Sequence, residues 1–96
     1  MPKQRIEGWI WDDDNLAELA RHSIRRQTVL EVAGEAARFR RNRRRRAATY
    51  QMIGRDRGGA LWTICIVQSS FDEGIWRAVT GWRATEAEAT WYGSSR

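Results

Sequence analysis

Eight consecutive residues, Ala60-Leu61-Trp62-Thr63-Ile64-Cys65-Ile66-Val67, are almost wholly apolar and rich in β-branched side chains, which predicts a strand. Trp62, Ile64 and Ile66 face one way and Leu61, Cys65 and Val67 the other, so the strand must lie centrally in a sheet with both faces covered. Its neighbours are equally local. Thr49 to Ile53 alternates before it, and Gly54-Arg55-Asp56-Arg57-Gly58-Gly59 supplies the turn of a hairpin. Ser69 to Gly74 turns again, and Ile75 to Trp82 gives a further strand.

The N-terminal part is built differently. Ile6 to Trp11 alternates, with Ile6, Gly8 and Ile10 on one face and Glu7, Trp9 and Trp11 on the other, as in a short first strand. Asp12-Asp13-Asp14-Asn15 stops it, and Leu16, Leu19, Ala20 and Ile24 form one helical stripe, predicting a helix over Asp13 to His22 capped by an aspartate. Val29, Leu30, Val32, Ala33, Ala36 and Ala37 predict a second helix from about Gln27 or Thr28, weakened by Gly34. Thr85-Glu86-Ala87-Glu88 is a capping box that opens a last helix through Tyr92. The expected architecture is α+β, in the order β-α-α-β-β-β-α: a small antiparallel sheet of about four strands with two N-terminal helices and one C-terminal helix on one face. With 96 residues, 42% of them hydrophobic, residues 1-96 make one domain.

Charge is concentrated in one place. Lysine and arginine number 17 against 12 acidic residues, for a net charge of +5, yet Arg38, Arg40, Arg41, Arg43, Arg44, Arg45 and Arg46 fall within nine residues. Without them the balance is 10 to 12, so the block is the feature that attracts a polyanion or an acidic partner, and as a run of like charges it is expected to be flexible. One cysteine, Cys65, and one histidine, His22, exclude an internal disulfide and a Cys/His zinc site; no metal or cofactor is expected. The first residues lack the apolar core of a secretion signal and no segment is long enough to span a bilayer, so a cytoplasmic protein without a membrane partner is expected.

Among single residues, His22 titrates near neutrality and is a candidate proton carrier on the polar face of the first helix, with Asn15 and Glu18. Arg55 and Arg57 fall in the glycine-rich turn. Arg77 and Arg83 fall in a strand, where a fixed guanidinium places positive charge on an open face. Capping accounts for Glu86 and Glu88.

Several of these segments, in this order, resemble the BrnT family of bacterial type II toxins. They are Trp11-Asp12, Asn15, Arg21-His22-Ser23-Ile24, Ile53-Gly54-Arg55, and Val79-Thr80-Gly81-Trp82-Arg83-Ala84-Thr85-Glu86 with Glu88 and Tyr92. Ser23 stands where the family has glycine, and the arginine block where the family is commonly mixed or acidic. The resemblance implies a RelE-like fold, a ribonuclease that arrests growth, and a cognate antitoxin of the ribbon-helix-helix DNA-binding class. It implies metal-independent cleavage, with Arg83 and Arg55 on the phosphate, His22 or Glu86 transferring protons and Tyr92 orienting or taking a secondary proton role. Arg38, Arg40, Arg41, Arg43, Arg44, Arg45, Arg46, Arg57 and Arg77 would bind RNA or partner. The competing class is a non-catalytic module that binds nucleic acid or an acidic partner, including a degenerate toxin that only binds its antitoxin.

Overall fold

A computed structural model describes residues 4–43 and 49–94. The chain runs β1 (Gly8–Trp9), α1 (Asp13–Arg21), α2 (Arg26–Val32), β2 (Arg38–Arg41), β3 (Tyr50–Arg55), β4 (Leu61–Gln68), β5 (Ile75–Arg83) and α3 (Glu86–Ser94). The class is α+β, but the sheet has five strands in the order β1-β5-β4-β3-β2. It is mixed rather than antiparallel, because β1 pairs parallel to β5. The central strand is β4, as its two apolar faces require, and Ile64, Cys65 and Ile66 are fully buried.

The additional strand comes from the arginine block. Arg38–Arg41 pairs antiparallel with β3, so the first half of the segment expected to be flexible is an edge strand. Phe39 is buried opposite Met52, and this one aromatic anchors the strand against the like charges on either side. Arg44, Arg45 and Arg46 lie outside the described residues. The second helix is shorter than its apolar pattern suggested: it ends at Val32, and Gly34 and Ala37 belong to the turn that leads into β2.

The helices cover both faces of the sheet instead of one. Cβ positions on Gly54 and Gly81 would lie 2.6 Å from Val32 O and 2.8 Å from Ile24 Cδ1, which puts α2 and the α1–α2 junction on the face that carries Met52, Ile64 and Phe39. Residues alternate between faces along a strand, so Thr63 and Trp82, paired across β4 and β5, face the other way. There α3 binds them both through Glu88. α1 lies against β5 beyond the short β1, where the amide of the buried Asn15 donates to Ile10 O and Ala78 O.

Candidate nucleic-acid interface

Two helix caps position the candidate site. Asp12 caps α1 reciprocally with Asn15, each side chain accepting from the other's backbone N–H at 2.9 and 2.8 Å. Thr85 and Glu88 form the same box on α3, at 3.2 and 2.8 Å. Each capping acid also binds the sheet. Asp12 takes both guanidinium nitrogens of Arg77, at 2.6 and 3.0 Å, so Arg77, expected to place positive charge on an open face, is paired with a carboxylate.

Glu88 is the acid whose place the sequence understates. Its carboxylate accepts from the Thr63 hydroxyl at 2.9 Å and from the Trp82 indole N–H at 3.0 Å, and it lies 3.8 Å from Arg40 Nη2. Burial pushes the Glu88 carboxyl up, but the bonds from Thr85, Trp82 and Thr63 outweigh it and hold the group below the ordinary carboxylate range. Arg40 is thereby committed to the fold: its Nε donates to Gln51 Oε1 at 2.8 Å and its guanidinium lies 4.8 Å from the Trp91 ring centre.

The arginines divide into two groups. Arg5, Arg21, Arg40, Arg57 and Arg77 each pair with a carboxylate, from Glu7, Glu18, Glu88, Glu31 and Asp12 respectively. Arg26, Arg41, Arg55 and Arg83 instead lie over aromatic rings, of Trp11, Tyr50, Tyr92 and Trp62, at 5.3 to 5.9 Å from the ring centres. Among the described residues none of these four has a carboxylate within 4.0 Å. A guanidinium held on a ring keeps most of its N–H donors available in a restricted position. Arg38 donates to Ala36 O and Ala37 O, both at 3.2 Å, and Arg43 is exposed.

Arg55 and Arg83 stand at the same end of the sheet. Arg55 is the last residue of β3 rather than part of the turn, and donates to Gly59 O at 2.9 Å. Gly54, Trp62 and Arg83 are in register, and Arg55 pairs with Leu61 one row beyond. By alternation Arg83 leaves on the α2 face and Arg55 on the α3 face. Tyr92 holds Arg55 from α3, and its hydroxyl donates to Ala36 O at 2.9 Å. Glu86 begins α3, exposed, three residues after Arg83.

His22 belongs to a different place. It caps the C-terminus of α1, with Nε2 3.3 Å from Glu18 Oε2, and Glu18 accepts from the Thr80 hydroxyl at 2.7 Å. The Thr80 bond, with further help from His22 and Arg21, holds Glu18 below the ordinary carboxylate range against desolvation, which raises it. His22, Glu18, Arg21, Asn15 and Arg77 line an open cleft of about 580 Å³. Thr80, to which Glu18 is bonded, is three residues before Arg83 on β5. The remaining turn arginine, Arg57, is tied to α2: its backbone N–H donates to Glu31 at 2.9 Å.

No protein-family model matches the chain, and no curated protein matches it. Among the described residues no helix is long and apolar enough to cross a membrane.

Proposed function

We propose that this chain is a BrnT-like toxin that cleaves RNA without a metal, and that its substrate lies across the sheet end marked by Arg55 and Arg83. The observation that carries the proposal is that these two arginines, on opposite faces of one sheet end, are held on aromatic rings with no carboxylate within 4.0 Å among the described residues. Two such charges would hold phosphates of a single strand that wraps around this sheet end. Ser23 supports the resemblance. It has φ +63°, the left-handed conformation that favours glycine, at the position where the family carries glycine.

In this reading the RNA 2′-hydroxyl attacks the adjacent phosphorus and gives up its proton to a base. The 5′-oxygen departs with a proton taken from water, leaving a 2′,3′-cyclic phosphate. Arg83 stabilises the charge that builds on the phosphorane, and Glu86 is the base on the adjoining helix. Tyr92 orients Arg55, since its own proton is engaged by Ala36 O. The cognate antitoxin remains the proposed partner.

A binding module that breaks no bond is the second reading, favoured by the engagement of His22 with Glu18. Incubating folded protein with defined RNA in excess chelator separates the two. Cleavage that falls in Arg83→Ala and Glu86→Gln supports the nuclease, whereas retention of RNA without cleavage supports the module.

A further inference from the structure

The two edges of the sheet differ in chemistry. β2 presents arginines, which discourage strand addition. β1 does not. Glu7 and Gly8 both direct their N–H groups inward to Gly74 O, and Ile10 directs its own to Trp76 O, so it is the N–H and C=O of Trp9 that turn outward, toward no neighbouring strand among the described residues. Beside this edge is a groove of about 420 Å³ lined by Ile6, Glu7, Trp9, Trp11, Leu30 and Ala33. Leu30 in this groove is an exposed large hydrophobic residue, at 50%.

We propose that the β1 edge is the dimer interface of this protein, closed by a second copy of the same chain. The charges on the groove are self-complementary. Antiparallel pairing about a two-fold axis through Trp9 sets residue 7 of one copy opposite residue 11 of the other. The half-exposed Glu7 carboxylate, which pairs within its own chain with the exposed Arg5, then meets Trp11 of the second copy, over whose ring the exposed Arg26 guanidinium lies at 5.6 Å. The axis repeats the pair, so each copy contributes one acid and one base. Leu30 and the Trp9 and Trp11 rings, 6.2 Å apart, enclose the apolar centre. The two sheets join into one of ten strands, and both sheet ends with Arg55 and Arg83 stay outside the contact. The inference is independent of what those arginines bind.

The test is the mass of the full chain in solution by light scattering across a concentration series, with folding of every variant checked by circular dichroism. A species of about twice 11.2 kDa is expected in low salt. Glu7→Arg and Arg26→Glu should each weaken it by about tenfold, since two like-charge contacts replace two complementary ones, and the double variant should restore it. Leu30→Asp, at an exposed helical position, should give a monomer that folds. A wild-type monomer throughout the series, a dimer indifferent to these changes, or a double variant no better than the singles would each overturn the proposal. So would a dimer lost in Phe71→Ala, because Phe71 lies in the β4–β5 turn outside this groove.

Discussion

Trp82 donates its indole N–H to Glu88 at 3.0 Å, joining the end of β5 to α3 across the same carboxylate that caps the helix. One side chain therefore fixes both where α3 starts and which face of the sheet it covers. Glu88→Ala would leave the buried Thr63 hydroxyl and the Trp82 indole without an acceptor and would remove a cap. The expected loss is about 3 kcal/mol, from stranded donors at 1 to 3 kcal/mol each, read as a lowered midpoint in urea. An unchanged midpoint would mean that α3 is held chiefly by its apolar contacts.

The same carboxylate makes stability depend on pH. The folded chain holds Glu88 below the ordinary range, so ionisation favours the fold. That contribution is complete above the unfolded carboxylate value and is lost as pH falls through the lower folded value. Thermal midpoints should decline through the acid range, and Glu88→Gln should flatten the decline. Equal slopes in the two proteins would assign the acid sensitivity elsewhere, with Glu18, also held low, the next group to replace.

Arg83→Ala and Arg55→Ala should each weaken single-stranded RNA binding by about tenfold, the loss of a charge-assisted phosphate contact, with little change in folding. Arg77→Ala should behave in the opposite way, because it strands Asp12 and loosens α1 from β5. Fluorescence anisotropy beside thermal melts distinguishes the two patterns. Arg77→Ala with intact stability and lost RNA affinity would contradict the division of the arginines drawn above.

Ser23→Gly should stabilise the protein by about 0.5 to 1 kcal/mol. Relief of the left-handed backbone, which costs a residue with a Cβ roughly 1 to 2 kcal/mol, exceeds the added freedom of the unfolded chain. Denaturant titration checks it, and a destabilised variant would show that the Ser23 hydroxyl contributes more than its conformation costs.

Gly54→Ala should do the reverse. Its Cβ would lie 2.6 Å from Val32 O, a backbone atom of α2 that moves only if the helix does. A loss of about 2 kcal/mol is expected from overpacking of this kind, and an unchanged melting temperature would indicate that α2 is loosely seated.

What was legible in the sequence was local. The apolar run of β4, the aspartate cap of α1, the capping box of α3, and the placement of Glu18 and His22 on one helix face each depend on residues a few positions apart. What was not legible depends on distant partners. Nothing near Arg77 announces Asp12, which lies 65 residues away, and nothing near Glu88 announces Thr63. Arg38–Arg41 reads as a charge run because its single buried anchor, Phe39, signals a strand only once Met52 is beside it. The site suffers in the same way. Arg55 and Arg83 come to one sheet end through strand register, whereas His22, their expected companion, is engaged by Glu18 on α1.

The hem formed by β2 also limits how the role of the arginine block can be tested. Arg40 braces Glu88 and Trp91 from within the sheet, and Arg38 ties the incoming turn. A variant in which every arginine from 38 to 46 is neutralised would unpick the border of the sheet while changing the charge, and its failure to retain RNA would report a frayed protein. Substitutions outside the strand, beginning with Arg43, alter the field and leave the seam intact.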